Sequence, residues 1–244
     1  LNLVIDIGNS LVKLAVFDEG RLIDSAQLEN FDQDTIIRLK KQYPELNKAI
    51  LSSVTGHDLA LLQLLQKEFS YFMELSSVTP VPIKNNYRSK STLGLDRLAA
   101  AVGATSLFPD NDLLIIDAGT AITYDIVDKE NGFMGGNISP GLRTRFRSLH
   151  HFTGRLPLLN PVAEWPDIGT TTEEAIQSGV LTGILSEVES VIELMKKKWP
   201  ELRVIVTGGD AEFFDKKLKS SIFVKFEITL LGLNRILEYN VKNN

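Results

Sequence analysis

Val4-Ile5-Asp6-Ile7-Gly8-Asn9 and Ile115-Ile116-Asp117-Ala118-Gly119-Thr120 carry one pattern twice. Each is an apolar run ending in an aspartate, one more apolar residue, a glycine and a small polar side chain. Each continues in the same way. After the first copy come the apolar run Leu11–Phe17, the turn Asp18-Glu19-Gly20 and the run Arg21–Gln27. After the second come Ile122–Val127, the turn Asp128–Gly132 and Phe133–Ser139. Short apolar runs with tight polar links predict a three-stranded antiparallel meander in each case. The two aspartates stand 111 residues apart in a chain of 244, which reads as a duplicated half-domain.

Working outward, Asp34–Gln42 and His57–Phe69 have helical spacing, with strands at Lys48–Ser53 and Tyr71–Leu75. Ser76–Thr92 is polar, holds Pro80 and Pro82, and reads as a loop or boundary. Leu95–Leu107 is an Ala-rich helix leading to the second meander, which opens with the strand Asp112–Asp117. The helices Leu142–Phe152 and Thr171–Lys198 follow it. A cap-like Thr170-Thr171-Thr172-Glu173-Glu174 starts the latter, and Pro200 stops it. A strand Leu202–Thr207, a helix Ala211–Leu218, a last strand Ser221–Lys225 and a closing helix Leu230–Tyr239 complete the chain. Strand triplets followed by alternating helix and strand predict an α/β architecture of two related lobes, residues 1–110 and 111–244, with the active cleft between them.

Composition narrows the chemistry. There are 26 Lys plus Arg against 31 Asp plus Glu, a net charge of −5. With no polybasic block, nucleic-acid binding is not expected. The absence of cysteine removes disulfide scaffolds, thiolate zinc sites, iron–sulfur clusters and cysteine nucleophiles. Three histidines, His150 and His151 adjacent, leave little for a histidine metal site. No stretch reaches the roughly 18 apolar residues of a membrane span. Leu1–Phe17 carries Asp6 and Lys13 with no basic lead, so a signal peptide is not expected and a cytoplasmic location is.

The two Asp-x-Gly turns are the candidates for chemistry. Each places a carboxylate at the C-terminal end of a strand, where open α/β sheets bind ligands. Each follows it with glycine, which lets a ligand approach the backbone, and then with groups able to hold phosphate oxygens. Carboxylates facing a phosphate need cations between, and Mg²⁺ suits oxygen ligands. Lys13 adds a positive contact. Read singly, each pair is a turn; read together, they are a site. Gly94-Leu95-Asp96-Arg97 opens a helix. Asp96 there is either a charge favoured by the macrodipole or a general base, with Arg97 holding a carboxylate or phosphate. Gly135-Gly136-Asn137-Ile138-Ser139-Pro140-Gly141 is a tight link into the next helix or a ligand-contacting floor. Thr207-Gly208-Gly209 is a strand-to-helix turn against which a base or ribose could lie. Arg143, Arg145, Arg147 and Arg155 form a basic run with His150 and His151. It reads as a solvated face, a dimer surface or an anion contact, with Leu142, Phe146 and Leu149 on the apolar side.

Taken in order, Asp6-x-Gly-Asn-Ser, Gly94-x-Asp-Arg, Asp117-x-Gly-Thr-Ala-x-Thr, Gly135-Gly-x-Ile-x-Pro-Gly and Thr207-Gly-Gly resemble the type III pantothenate kinases over essentially the whole chain. The resemblance implies the duplicated actin-like ATPase and sugar-kinase superfamily fold, with ribonuclease H-like lobes. It implies a homodimer that phosphorylates pantothenate from ATP, the first step of coenzyme A biosynthesis. It implies that Asp6, Ile7, Gly8, Asn9, Ser10, Leu11, Val12 and Lys13 line the ATP phosphates, with Asp6 near Mg²⁺. By the same resemblance Thr120 also contacts ATP, and Gly208 and Gly209 lie on the adenosine side. Asp117 matches the position for a monovalent cation, K⁺ or NH₄⁺. Asp96 matches the catalytic base, and Tyr87, Gly94, Leu95, Asp96, Arg97 and Thr172 match pantothenate-contacting positions. Ser10 stands where the family usually has Thr, and the Leu142–Leu149 stretch is more basic than the family suggests. Two other readings are another small-molecule kinase of this superfamily, and a catalytically silent relative acting as a transcription accessory factor. Intact Asp6, Asp96 and Asp117 argue against the silent relative.

Overall fold

The structure is a computed structural model, and it describes residues 1–8, 11–53 and 59–243. Its contacts divide the chain into two compact units. The first comprises Leu1–Pro109, Asn131–Phe133 and Glu227–Asn244, and the second Asp110–Glu130 and Met134–Phe226.

In the first unit, β1 (Asn2–Ile7), β2 (Val12–Asp18) and β3 (Arg21–Leu28) form the expected antiparallel meander. The β2–β3 turn is tight because Glu19 (φ 44°) and Gly20 (φ 80°) both take left-handed backbone, as a primed hairpin turn requires. α1 (Gln33–Gln42) is capped by Asp32, whose carboxylate accepts from Thr35 N at 2.9 Å. β4 (Lys48–Ser53) runs parallel to β1, and after α2 (Leu59–Glu68) comes β5 (Tyr71–Glu74), parallel to β4. The sheet order is β3-β2-β1-β4-β5. The central strand β1 is buried on both faces, which is why it reads as a continuous apolar run. Leu3 and Ile5 pack with Ile36 of α1 and Leu65 of α2 on one face. Val4, Ala15 and Phe17 pack on the other with α3 (Leu95–Leu107) and the closing helix α7 (Ile228–Asn243). The two helices cross closely because both carry glycine: a Cβ on Gly232 would overlap Ala99 O, and one on Gly103 would overlap Ile228 O. That packing places the last helix in the first unit, although it follows the second meander in sequence.

The second unit repeats the plan. β6 (Leu113–Ala118), β7 (Ala121–Asp128) and β8 (Gly132–Pro140) lead to α4 (Leu142–Phe152) and α5 (Thr172–Lys198). β9 (Arg203–Thr207), α6 (Ala211–Lys217) and β10 (Phe223–Val224) follow. Its sheet order, β10-β9-β6-β7-β8, is the first unit's order with each strand replaced by its counterpart. Thr171 caps α5 in a capping box with Glu174, as its sequence predicts. Leu114, Ile116, Ala118, Ile122 and Tyr124 pack with Phe146 of α4 and Val180, Ile184 and Val188 of α5. One expectation changes. The strand expected at Phe133–Ser139 is β8, so Gly135 and Gly136 lie within it and not in a link after it. A Cβ on Gly136 would overlap Tyr124 O, so glycine here admits the neighbouring strand.

Candidate active site

Period-two alternation sets the first unit's site. Asp6 shares the face of Val4, Lys13 that of Ala15 and Phe17, and Ser52 that of Ile50, so all three point toward the face covered by α3 and α7. Asp6 is directly opposite Lys13 on β2 and Ser52 on β4, giving a row Lys13–Asp6–Ser52 across the strand ends. Asp6 is only 8% exposed. Burial pushes its carboxyl above the ordinary value; Lys13 draws it down, nearby Asp96 raises it, and the Ser52 hydroxyl lowers it. Ser52 Oγ is fully buried and completes no hydrogen bond of full geometry among the described residues. Nothing in the residues around Ser52 marks it as a site residue. Its signal was the internal repeat: Ser52 on β4 occupies the position that Thr207 holds on β9, opposite Asp117.

Gly8 N donates to Leu11 O at 3.1 Å and closes the turn after β1. Leu11 is exposed, whereas Val12 is packed in the core and Ile7 leans on it, so those two offer a ligand only backbone. Asn9 and Ser10 lie outside the described residues.

The chain reaches α3 through Gly94, and Asp96 stands in its first turn, with Oδ1 accepting from Arg97 N at 2.9 Å. A Cβ on Gly94 would lie 2.6 Å from Asp96 Oδ1, so glycine leaves that carboxylate its room. Arg97 is 7% exposed, and its guanidinium lies 5.7 Å from the centre of the Tyr87 ring. Tyr87 in turn stands 6.2 Å from Phe133, and its backbone N–H donates to Asn85 Oδ1 at 3.0 Å. Tyr87, Gly94, Asp96 and Arg97 are thus brought together within one unit, with Asp96 near enough to Asp6 to raise its carboxyl. Leu95 packs against the core, and Thr172 is the exposed first residue of α5 in the second unit.

In the second unit Asp117 is opposite Thr123 on β7 and Thr207 on β9. Gly119 N donates to Ala121 O at 3.0 Å, and Asp210 N donates to Ala118 O at 2.9 Å. Gly208 has φ 92°, and a Cβ there would overlap Ala118 O and Asp117 Oδ1. The Asp117 turn and the Thr207-Gly208-Gly209 turn therefore lie against each other, and only glycine fits between them. Thr120 and Gly209 are exposed at this edge. Asp210 was not foreseen: burial raises its carboxyl, and Arg143, 3.9 Å away, draws it back down.

Among the described residues, no three histidine, aspartate or glutamate side chains converge as a metal cage. Asp6 and Asp117 each end their strand as single hard oxygen donors. A hard cation at either would complete its shell from phosphate oxygens and water, so the residues fit cations shared with a phosphate ligand.

The model of the family described as type III pantothenate kinase matches residues 2–194. A protein of Phocaeicola vulgatus named type III pantothenate kinase is 46% identical over 242 residues, 99% of this chain and 100% of that protein. One of Christiangramia forsetii with the same name is 42% identical, covering 98% of this chain and 99% of that protein. Among solved structures, a Campylobacter jejuni protein named for the Baf transcriptional activator family has a TM-score of 0.62 at 24% identity, covering 98% of this chain and 99% of that one. A glucokinase from an Antarctic psychrotroph has a TM-score of 0.56 at 11% identity, covering 98% of each chain. Both structures show likeness of fold alone.

Proposed function

The chain belongs to the type III pantothenate kinase family, and from that premise we propose how its residues divide the work. The reaction is ATP-dependent phosphorylation of pantothenate in coenzyme A biosynthesis, which makes the chain a phosphotransferase. The observation that carries the residue assignment is the repeated strand end: Asp6 between Lys13 and Ser52, and Asp117 between Thr123 and Thr207, at the same place in the same sheet order.

Phosphoryl transfer is mainly positioning and charge neutralisation. A divalent metal, Mg²⁺ in this reading, neutralises phosphate charge when bound with ATP. Asp6 holds its side of that ion, and Lys13 and the backbone from Ile7 to Leu11 line the phosphates. Thr120 and the amides of Gly208 and Gly209 hold the nucleotide, and Asp117 takes K⁺ or NH₄⁺. Tyr87, Gly94 and Arg97 wall the pantothenate site, with Arg97 suited to its carboxylate. Asp96 accepts the proton of the attacking hydroxyl. Its place in the first turn of α3, with one oxygen already fixed by Arg97 N, leaves the other oxygen for that proton. In this assignment the first unit carries the phosphate and pantothenate groups and the second the adenosine groups, and Thr172 is assigned to pantothenate. A cytoplasmic homodimer completes the reading. Exposed Phe152 and Ile168 in the second unit favour association, and among the described residues no helix is long and apolar enough to cross a membrane.

The test is ATP consumption with pantothenate against a panel of hexoses and acetate, with and without K⁺. Turnover with pantothenate alone, rising with K⁺, is expected. Turnover with a hexose, or none with pantothenate, overturns the reading.

A further inference from the structure

Arg145 does not behave as the solvated arginine that its basic run suggested. Arg143 and Arg147 are exposed. The Arg145 side chain is 20% exposed, and its Nη2 donates to Glu187 Oε2 at 2.6 Å and to Ser139 Oγ at 2.9 Å. Its Nε donates to Pro140 O at 2.8 Å. The second oxygen of Glu187 accepts from the Tyr124 hydroxyl at 2.7 Å. One ion pair thereby ties α4 to α5, β7 and the end of β8. Burial opposes ionisation of Glu187, but the hydrogen bonds from Arg145, Tyr124 and Ser139 outweigh it and lower its pKa. Burial and Glu187 together push the Tyr124 phenol far up. Glu187 is therefore a charged double acceptor and Tyr124 a standing donor.

The tie acts on the strand-end turn through one short link. α4 begins at Gly141, which has no side-chain cap. Its backbone N–H instead donates to Thr120 O at 3.0 Å, and Thr144 Oγ1 donates to the same carbonyl at 2.7 Å. The first turn of α4 thus grips the Thr120 carbonyl twice, and Arg145, the next residue along, fastens that turn to the rest of the unit. We propose that Arg145 and Glu187 are positioning residues of the phosphoryl-transfer site: their ion pair, backed by Tyr124, holds the first turn of α4 against Thr120 and so sets the nucleotide-facing turn. The inference rests on the assignment of Thr120 to ATP.

The experiment compares Glu187→Gln, Thr144→Val, Arg145→Lys and the double variant Glu187→Gln/Thr144→Val. Each is followed by calorimetric affinity for a non-hydrolysable ATP analogue, KM for ATP and for pantothenate, and melting temperature. Glu187→Gln is expected to weaken the analogue about tenfold and Thr144→Val about threefold, with pantothenate KM held within about twofold. Both act through one carbonyl, so the double variant is expected to be little worse than Glu187→Gln alone. Arg145→Lys keeps the charge but cannot keep the Nε bond to Pro140 O, and is expected to weaken the analogue about threefold. A folded Glu187→Gln protein with unchanged analogue affinity, an equal loss for both substrates, or a fully additive double variant overturns the proposal. If Glu187→Gln does not fold, Thr144→Val and Arg145→Lys decide: unchanged analogue affinity in both overturns it. Analogue binding that responds as expected in a protein without pantothenate turnover would count against the assigned reaction and leave the positioning role standing.

Discussion

Gly208→Ala tests the second strand-end turn most directly. Gly208 sits at φ 92°, where a Cβ costs about 1–2 kcal/mol in backbone strain. Space costs more. The added carbon would overlap Ala118 O and Asp117 Oδ1, well inside the roughly 3.5 Å at which nonbonded atoms are comfortable. Relief requires the ends of β6 and β9 to part by something on the order of 1 Å. That movement carries the Asp117 carboxylate with it, and with it Asp210 N, which is bonded to Ala118 O at 2.9 Å. A misplacement of this size at a positioning group costs about 100-fold, so kcat/KM for ATP should fall about 100-fold, or roughly 2.7 kcal/mol of transition-state stabilisation. The strands behind the turn keep their core, and a loss of about 2–3 kcal/mol in a chain of this size lowers the melting temperature by roughly 5–10 °C. Steady-state kinetics with ATP varied at saturating pantothenate, beside a thermal melt, measures both. Gly154→Ala is the control, since nothing lies within 4 Å of a Cβ there. A folded Gly208→Ala enzyme that keeps kcat/KM for ATP within about threefold, under ~0.7 kcal/mol, refutes the placement of this turn at the nucleotide.

Asp96→Asn should lower kcat by about 100-fold or more while leaving ATP-analogue affinity within about threefold; a kcat close to wild type removes Asp96 as the base. Asp117→Ala should abolish activation by K⁺ or NH₄⁺, and a variant whose rate still climbs with K⁺ as the wild type's does would sink that assignment. Asp6→Asn bears on stability. Burial raises the Asp6 pKa above its ordinary 3.8, so between that value and the folded one the native chain holds the extra proton. The contribution of Asp6 to stability is therefore greatest in acid and falls as pH rises through that window. In chelator at neutral pH, Asp6→Asn should melt higher, by about 0.5–2 kcal/mol in stability, with the gap closing below about pH 4. An Asn variant that melts lower at every pH contradicts this account.

Much of the scaffold was legible because its signals are local. Leu142–Phe152 and Leu95–Leu107 are helices at the residues where an apolar stripe in the first and Ala richness in the second placed them, signals that need no distant information. The α5 cap was readable because Thr171 and Glu174 satisfy each other's backbone within one turn. The turns that failed to read were those governed by neighbours. Gly135-Gly136 looks like a loop in one dimension; in three it lets β8 lie close along Tyr124 of β7. Arg145 looks like its exposed neighbours Arg143 and Arg147, because nothing nearby in the chain announces Glu187, forty-two residues on.

The sequence by itself determined the repeat, the two carboxylates at strand ends, the glycines beside them and the family those motifs resemble. Strand alternation and turn chemistry act over a few residues, and a duplicated pattern is visible wherever its copies lie. The tertiary structure decided which side chains share a face. It put Ser52 beside Asp6, Arg97 over Tyr87, Gly208 against Asp117, and α7 with the first unit. Those pairings depend on strand register and helix packing between segments far apart in the chain. Their energies come from burial and hydrogen bonding that exist only once the sheets have formed.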